Sequence, residues 1–264
     1  MSTAVSVTAL LATGVLAGIV STVASLASVV SYPALLALGL SPVSANVTNT
    51  VALMFTAVGA AAGSRPELAG QGHRIRQAGL ATAAGGGAGA ALLLLTPARG
   101  FEYVAPVLIA IGSLIVLRRP VPEDALAGAE SGPDAAPGAA GVSGRRHGVL
   151  PQAGVFAVAV YIGYFGAAGG ILMLAVLIRM IPQSLARNNA LKNVITGLAN
   201  AVAGIGFAIF GPVRWSAALP LAAGFLIGGW IGPSMVRRLP ARGLRLFIGI
   251  CGLAVAIRLG IGAY

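Results

Sequence analysis

The sequence predicts an all-α polytopic membrane protein made of two inverted five-segment repeats, each opening with a broken or re-entrant helix pair. Three observations carry that expectation. Of 264 residues, 57% are hydrophobic and only 9% charged, with a mean hydropathy of +0.92; a soluble domain is about 25% charged. Apolar stretches recur almost from end to end. An ungapped shift of 143 residues lays Pro97-Ala98-Arg99-Gly100 on Pro240-Ala241-Arg242-Gly243.

In chain order, the apolar stretches of the first half (residues 1–117) run at 5–24, 27–40, 44–63, 76–96 and 102–117. Those of the second half (149–264) run at 149–166, 168–181, 189–210, 216–236 and 244–263. A spanning helix takes about 20 apolar residues, and most of these segments reach that length. The stretches 27–40 and 168–181 fall short, and each follows a long one almost without a gap, across Ser25-Leu26-Ala27-Ser28 and Gly166-Ala167-Ala168-Gly169-Gly170. Backbone broken in this way is tolerated at depth where protein or a water-filled cavity satisfies it. Between the halves, residues 118–148 hold Glu123, Asp124, Glu130 and Asp134 among Pro, Gly and Ala, the composition of a flexible linker. The start, Met1-Ser2-Thr3-Ala4, lacks the basic region of a signal peptide.

The same shift places Gly85, Gly86 and Gly89 on Gly228, Gly229 and Gly232, and Asn46 on Asn189. Both Gly-x-x-x-Gly pairs read as helix-packing faces. Ten crossings put thirteen arginines on one side and three (Arg99, Arg214, Arg258) on the other; fusing each broken pair into one crossing splits them nine against seven. The positive-inside rule prefers the first count. Five crossings per half invert the second half, put both termini outside and make the linker cytoplasmic. The net charge of +11 therefore reads as membrane topology, and no nucleic-acid partner is expected.

Little in the chain suits catalysis. The single cysteine, Cys251, excludes a disulfide framework and a Cys-x-x-Cys pair. His73 and His147 sit in polar stretches outside the spans, so a buried histidine metal site or a Ser/His hydrolase is not expected, and no cofactor or metal is called for.

The polar residues inside the spans are more telling. Asn46, Asn49 and Thr50 share one helical face, and Asn189, Lys192, Asn193, Thr196 and Asn200 form a stripe along another. Lys192 is the only lysine in the chain, about one turn into its segment. A charge near a helix centre costs about 2.5–3.5 kcal/mol, so it marks a functional position unless it snorkels to the interface. Amine and amide donors together suit an oxyanion. Ser28 at the first break, and Gly169 and Gly170 at the second, could add donors. Interrupted inverted repeats place a site near the midplane where the breaks meet. The competing reading is that the asparagines are interhelical glue.

These residues resemble the sulfite exporter TauE/SafE family. The similar places are Tyr32-Pro33-Ala34-Leu35-Leu36-Ala37-Leu38-Gly39-Leu40, Ala45 to Thr50, Phe165-Gly166-Ala167-Ala168-Gly169-Gly170 and Asn189 to Asn193. Where the family often has a glycine cluster in its first half, this chain has Ser25-Leu26-Ala27-Ser28. The resemblance implies a multi-pass permease of the bacterial inner membrane that exports sulfite, organosulfonates or related small anions. Its partners would be a small anionic substrate and the lipid bilayer, with a homo-oligomer compatible with both. A negative-inside potential favours outward movement of a monoanion by about 2.3 kcal/mol per 100 mV. The alternatives are a permease for another small anion or a neutral metabolite, and a membrane scaffold that transports nothing.

Overall fold

The computed structural model describes residues 3–24, 26–118, 149–166 and 169–235, together with residues 250, 253, 257 and 261. The linker from 119 to 148, the Pro240–Gly243 copy of the repeat and most of the last expected segment lie outside the described residues. Within them the ordered elements are helices. The first half supplies α1 (Thr3–Ala24), α2 (Ala27–Ala37), α3 (Pro42–Gly63), the single turn α4 (Arg65–Leu68), α5 (Gly72–Leu95) and α6 (Ala98–Arg118). The second supplies α7 (Val149–Tyr164), α8 (Gly169–Met180), α9 (Leu185–Phe210) and α10 (Trp215–Met235). Four helices, spanning Pro42–Gly63, Gly72–Leu95, Ala186–Phe210 and Trp215–Ser234, are long and apolar enough to cross a membrane. Large apolar side chains on their outer faces, such as Leu80, Leu95 and Phe210, are exposed, as lipid contact requires.

Local chemistry sets the helix ends. Ser41 caps α3, its side chain accepting from Ser44 N at 3.4 Å, with Pro42 in the first turn. Ser184 caps α9 in the same way, accepting from Arg187 N at 3.4 Å. That cap starts α9 at Leu185, ahead of the apolar stretch that begins at 189, so Lys192 lies two turns into its helix rather than one. α2 ends in a Schellman turn. Gly39 takes a φ of +85°, Gly39 N donates to Leu36 O at 2.9 Å, and Leu40 N donates to Leu35 O at 3.3 Å. α7 ends at Gly166, whose φ of +72° lets its N–H and that of Phe165 both reach Tyr161 O at 3.0 Å.

Both expected breaks are present. α2 has 11 residues and α8 has 12, about 16 and 18 Å of helix against a hydrocarbon core of about 30 Å. Each helix is shorter than that core is thick.

The helices pack across the halves. α1 lies chiefly on α10, and α7 lies on α5. Glycine makes both contacts close. A Cβ on Gly228 would collide with Val15 O and lie 3.0 Å from Gly18 Cα, and one on Gly85 would lie 2.7 Å from Phe156 O and Ala159 Cβ. The first helix of each half therefore rests on the Gly-x-x-x-Gly face of a later helix in the other half. α3 and α9 meet at the centre. Gly204 faces Thr50 and Val51, while Gly197 faces Ala57, so the two helices run antiparallel. α10 packs on α3 and α9 on α5 to complete the bundle. Tyr32, Phe101, Tyr164 and Phe165 form an edge-on aromatic cluster beside the second break, with Tyr32 and Phe165 centroids 5.6 Å apart.

Loops close the two ends of the α3/α9 pair. At the start of α3, Ser44 Oγ donates to Pro212 O at 2.8 Å, and Arg214 N donates to Thr48 Oγ1 at 3.0 Å. At the far end of α3 a denser polar latch joins the 64–72 and 181–188 connections. Fully buried Gln71 donates to Glu67 O at 2.8 Å and to Arg187 O at 3.1 Å. Gln183 Nε2 donates to Gln71 Oε1 at 3.1 Å and to Asn188 Oδ1 at 2.9 Å, while Arg74 donates to Gln183 Oε1. Gln71→Leu leaves two carbonyls and one amide N–H without their partner. At roughly 0.5–1.5 kcal/mol for each hydrogen bond lost, the variant is expected to lose about 2 kcal/mol, read as a lower denaturation midpoint in detergent.

Candidate functional site

The two polar stripes face each other along α3 and α9, and the fold divides their residues into two sets. The first set is bonded to protein. Asn189 Nδ2 donates to Thr22 O at 3.1 Å, and Asn46 Nδ2 donates to Tyr164 O at 3.0 Å. Each asparagine thus satisfies a carbonyl in the last turn of a broken helix from the other half, a group that no residue of its own helix can reach. Asn49 joins α2 to α3: its Nδ2 donates to Ser28 Oγ at 3.2 Å, and its Oδ1 accepts from Ser31 Oγ at 2.5 Å. Thr50 Oγ1 turns back to Asn46 O at 3.0 Å. In the second half the positions equivalent to Ser28 and Ser31 are Ile171 and Leu174, so the serine–asparagine link has no counterpart there.

The second set lines a small polar pocket. Its walls are Ser21 of α1, Leu53, Thr56, Ala57 and Ala60 of α3, and Asn193, Thr196, Gly197 and Asn200 of α9. It lies beside the contact of Ala57 with Gly197, close to the middle of both long helices. Gly197 has no room for a side chain, because an added Cβ would collide with Ala57 Cβ. The side-chain amides of Asn193 and Asn200 make no hydrogen bond to the described residues. Thr56 Oγ1 is buried and likewise has no protein partner among them. Thr196 Oγ1 donates to Lys192 O at 2.8 Å and keeps its acceptor capacity.

Of the residues expected at a site, then, Asn193 and Asn200 come together at this pocket. Lys192 is next to Asn193 in the chain and only 1% exposed. Asn46, Asn49, Asn189 and Ser28 lie in the interhelical bonds just described, and Thr50 bonds back within α3. Gly169 starts α8 and packs on α7, where an added Cβ would meet Ile162 Cγ1 at 2.5 Å; Gly170 follows it in the first turn. Neither glycine lines the pocket. Ser21 and Thr56 do, and the sequence reading does not name them. The signal for Thr56 is present all the same: continuing the Asn46, Asn49, Thr50 face by threes and fours reaches Leu53, Thr56, Ala57 and Ala60, four of the lining residues. Ser21 carries no such signal, because it comes from another helix.

Among the described residues no group of three or more His, Cys, Asp or Glu side chains could hold a metal ion, and no acidic side chain lines the pocket. What the pocket offers is neutral donors, hydroxyl and amide, inside an apolar bundle. No curated protein and no solved structure matches the chain significantly. A multi-pass helical bundle with two interrupted helix pairs and a polar pocket between its central helices is the setting in which the Sulfite exporter TauE/SafE family model matches residues 10–259, nearly the whole chain, and the protein belongs to that family.

Proposed function

We propose that the protein is a secondary transporter that exports small sulfur-containing anions, sulfite or organosulfonates, by alternating access at the α3/α9 pocket. The observation that carries this reading is the pocket itself: side-chain donors that make no hydrogen bond to the described residues, between central helices of the two halves, in a chain whose family is described as sulfite exporters. Hydrogen bonds to a charged ligand are worth about 1.5–3 kcal/mol each, enough to replace part of the hydration that an anion gives up on entering. No acidic wall opposes it.

The reading includes a topology. Residues 1–117 and 149–264 form two inverted repeats joined by a cytoplasmic linker, both termini face outward, and the protein resides in the bacterial inner membrane. Reciprocal contacts support the repeat: α1 on α10 against α7 on α5, and Asn189 to Thr22 O against Asn46 to Tyr164 O, in which the two asparagines are related by the 143-residue shift. The ten-crossing count also requires the loops near 41–44 and 211–214 to share one side, and those near 64–72 and 181–188 to share the other; each pair is hydrogen-bonded. The eight-crossing count separates both pairs.

The test is flux from proteoliposomes loaded with labelled sulfite or sulfoacetate under an imposed potassium diffusion potential. Efflux is expected to exceed that of empty liposomes and to rise when the interior is made negative. Flux equal to that of protein-free vesicles for both anions would overturn the reading; equal flux at all potentials would indicate a neutral passenger.

A further inference from the structure

We infer that the Thr56 hydroxyl is a direct substrate contact, the donor that α3 contributes opposite the Asn193 and Asn200 amides of α9. This rests on the transporter reading above and deepens it, since it names a residue that selects the ligand.

A threonine in a transmembrane helix ordinarily settles its hydroxyl on its own backbone, three or four residues back. Thr22, Thr50, Thr82, Thr96 and Thr196 all do so here, onto Ile19 O, Asn46 O, Ala78 O, Leu92 O and Lys192 O at 2.7–3.0 Å. Thr56 does not. It is 5% exposed, and its Oγ1 has no hydrogen-bond partner among the described residues. Its backbone is held in place from the other side, where Gly229 of α10 brings its own backbone against Thr56 O and Cα. The side chain lines the pocket.

An unsatisfied hydroxyl in an apolar bundle is a standing cost to the folded protein, and Val would fill the same volume without it. Its retention in the wall of a pocket, beside two amides that also make no hydrogen bond to the described residues, is explained by a ligand that accepts from it. Donors then converge from three helices: α1 through Ser21, α3 through Thr56 and α9 through Asn193 and Asn200. A compact head with three acceptor oxygens, as in sulfite or a sulfonate, can meet all three walls at once. A planar carboxylate with two oxygens meets fewer, so Thr56 favours the sulfur oxyanion over the carboxylate of similar size.

The experiment compares wild type, Thr56→Val and Thr56→Ser as purified full-length protein. It measures binding of sulfite, sulfoacetate and acetate, and thermal stability without ligand. Thr56→Val is expected to weaken sulfite and sulfoacetate binding at least tenfold, to change acetate binding less, and to melt at the same or a higher temperature than wild type. Thr56→Ser, which keeps the hydroxyl, is expected to recover most of the affinity. Unchanged sulfite and sulfoacetate binding in Thr56→Val, with wild type binding both, would overturn the contact and leave the transporter reading intact. A lower melting temperature for Thr56→Val, with no recovery of affinity in Thr56→Ser, would assign the residue to packing and also overturn it. A wild type that binds neither sulfur anion would overturn the transporter reading, and this assignment with it.

Discussion

Gly89→Val is expected to yield little or no folded protein, while Gly87→Ala, two residues earlier on the same helix, folds as well as wild type or better. The contrast follows from what each new side chain would meet. A Cβ at Gly89 would collide with Val160 O and lie 2.7 Å from Tyr164 N and 2.9 Å from Gly163 C. All three are backbone atoms of α7, so no rotamer change can make room, and α5 and α7 would have to separate. Overpacking that shifts backbone costs about 1–3 kcal/mol and occasionally more, and in lipid the loss of close packing is not offset by water expelled elsewhere. At Gly87 the nearest atom is Val202 Cγ1 at 3.5 Å, an ordinary contact. Replacing glycine by alanine in a helix interior then gains up to about 1 kcal/mol of helix propensity. Size-exclusion profiles and melting temperatures of the detergent-solubilised variants would decide. A monodisperse Gly89→Val protein melting with wild type would mean that α5 and α7 do not pack as described.

That prediction also marks how far the sequence could be read. Gly85 and Gly89 were legible as a packing face from their spacing, and so were the helices, because apolar length and broken spans depend on composition alone. The partner was not legible. Periodicity reports which side of a helix is buried and nothing about what covers it, so the packing of α7 on α5 and of α1 on α10 had to come from the three-dimensional arrangement. The polar stripes behaved in the same way. Their residues stood out because amides are rare in apolar helices, but Asn46 and Asn189 are occupied by carbonyls of residues 118 and 167 positions away in the chain. Which members of a stripe remain available to a ligand depends on where distant helix ends fall. Asn193 and Asn200 make no such bond to the described residues, and the sequence had no means of separating them from Asn46 and Asn189.

Lys192→Met is expected to leave the fold intact and to reduce export of sulfite or sulfoacetate about 100-fold, some 2.7 kcal/mol in rate. Methionine is close to lysine in length and adaptable in packing, so the change removes the amine with the least change in volume. The lysine is 1% exposed, two turns inside a helix long and apolar enough to span the bilayer. Keeping a charge there costs about 2.5–3.5 kcal/mol relative to an apolar residue, which marks the position as one held for function. A side chain held only for packing or for an interhelical bond would give the opposite result, with stability falling and flux per folded molecule preserved. The chain already performs the bonding task at Asn46, Asn49 and Asn189 with uncharged amides, and at the position equivalent to Lys192 in the first half, Asn49 does so with two serines of α2. An amine in that place in the second half supplies three donors beside Asn193, on the helix that forms one wall of the pocket. Flux in the methionine variant should therefore fall for sulfite and sulfoacetate while its circular dichroism and elution volume match wild type. Wild-type export from a stable Lys192→Met protein would remove the lysine from the transport mechanism and leave the pocket's neutral donors to bind the anion alone.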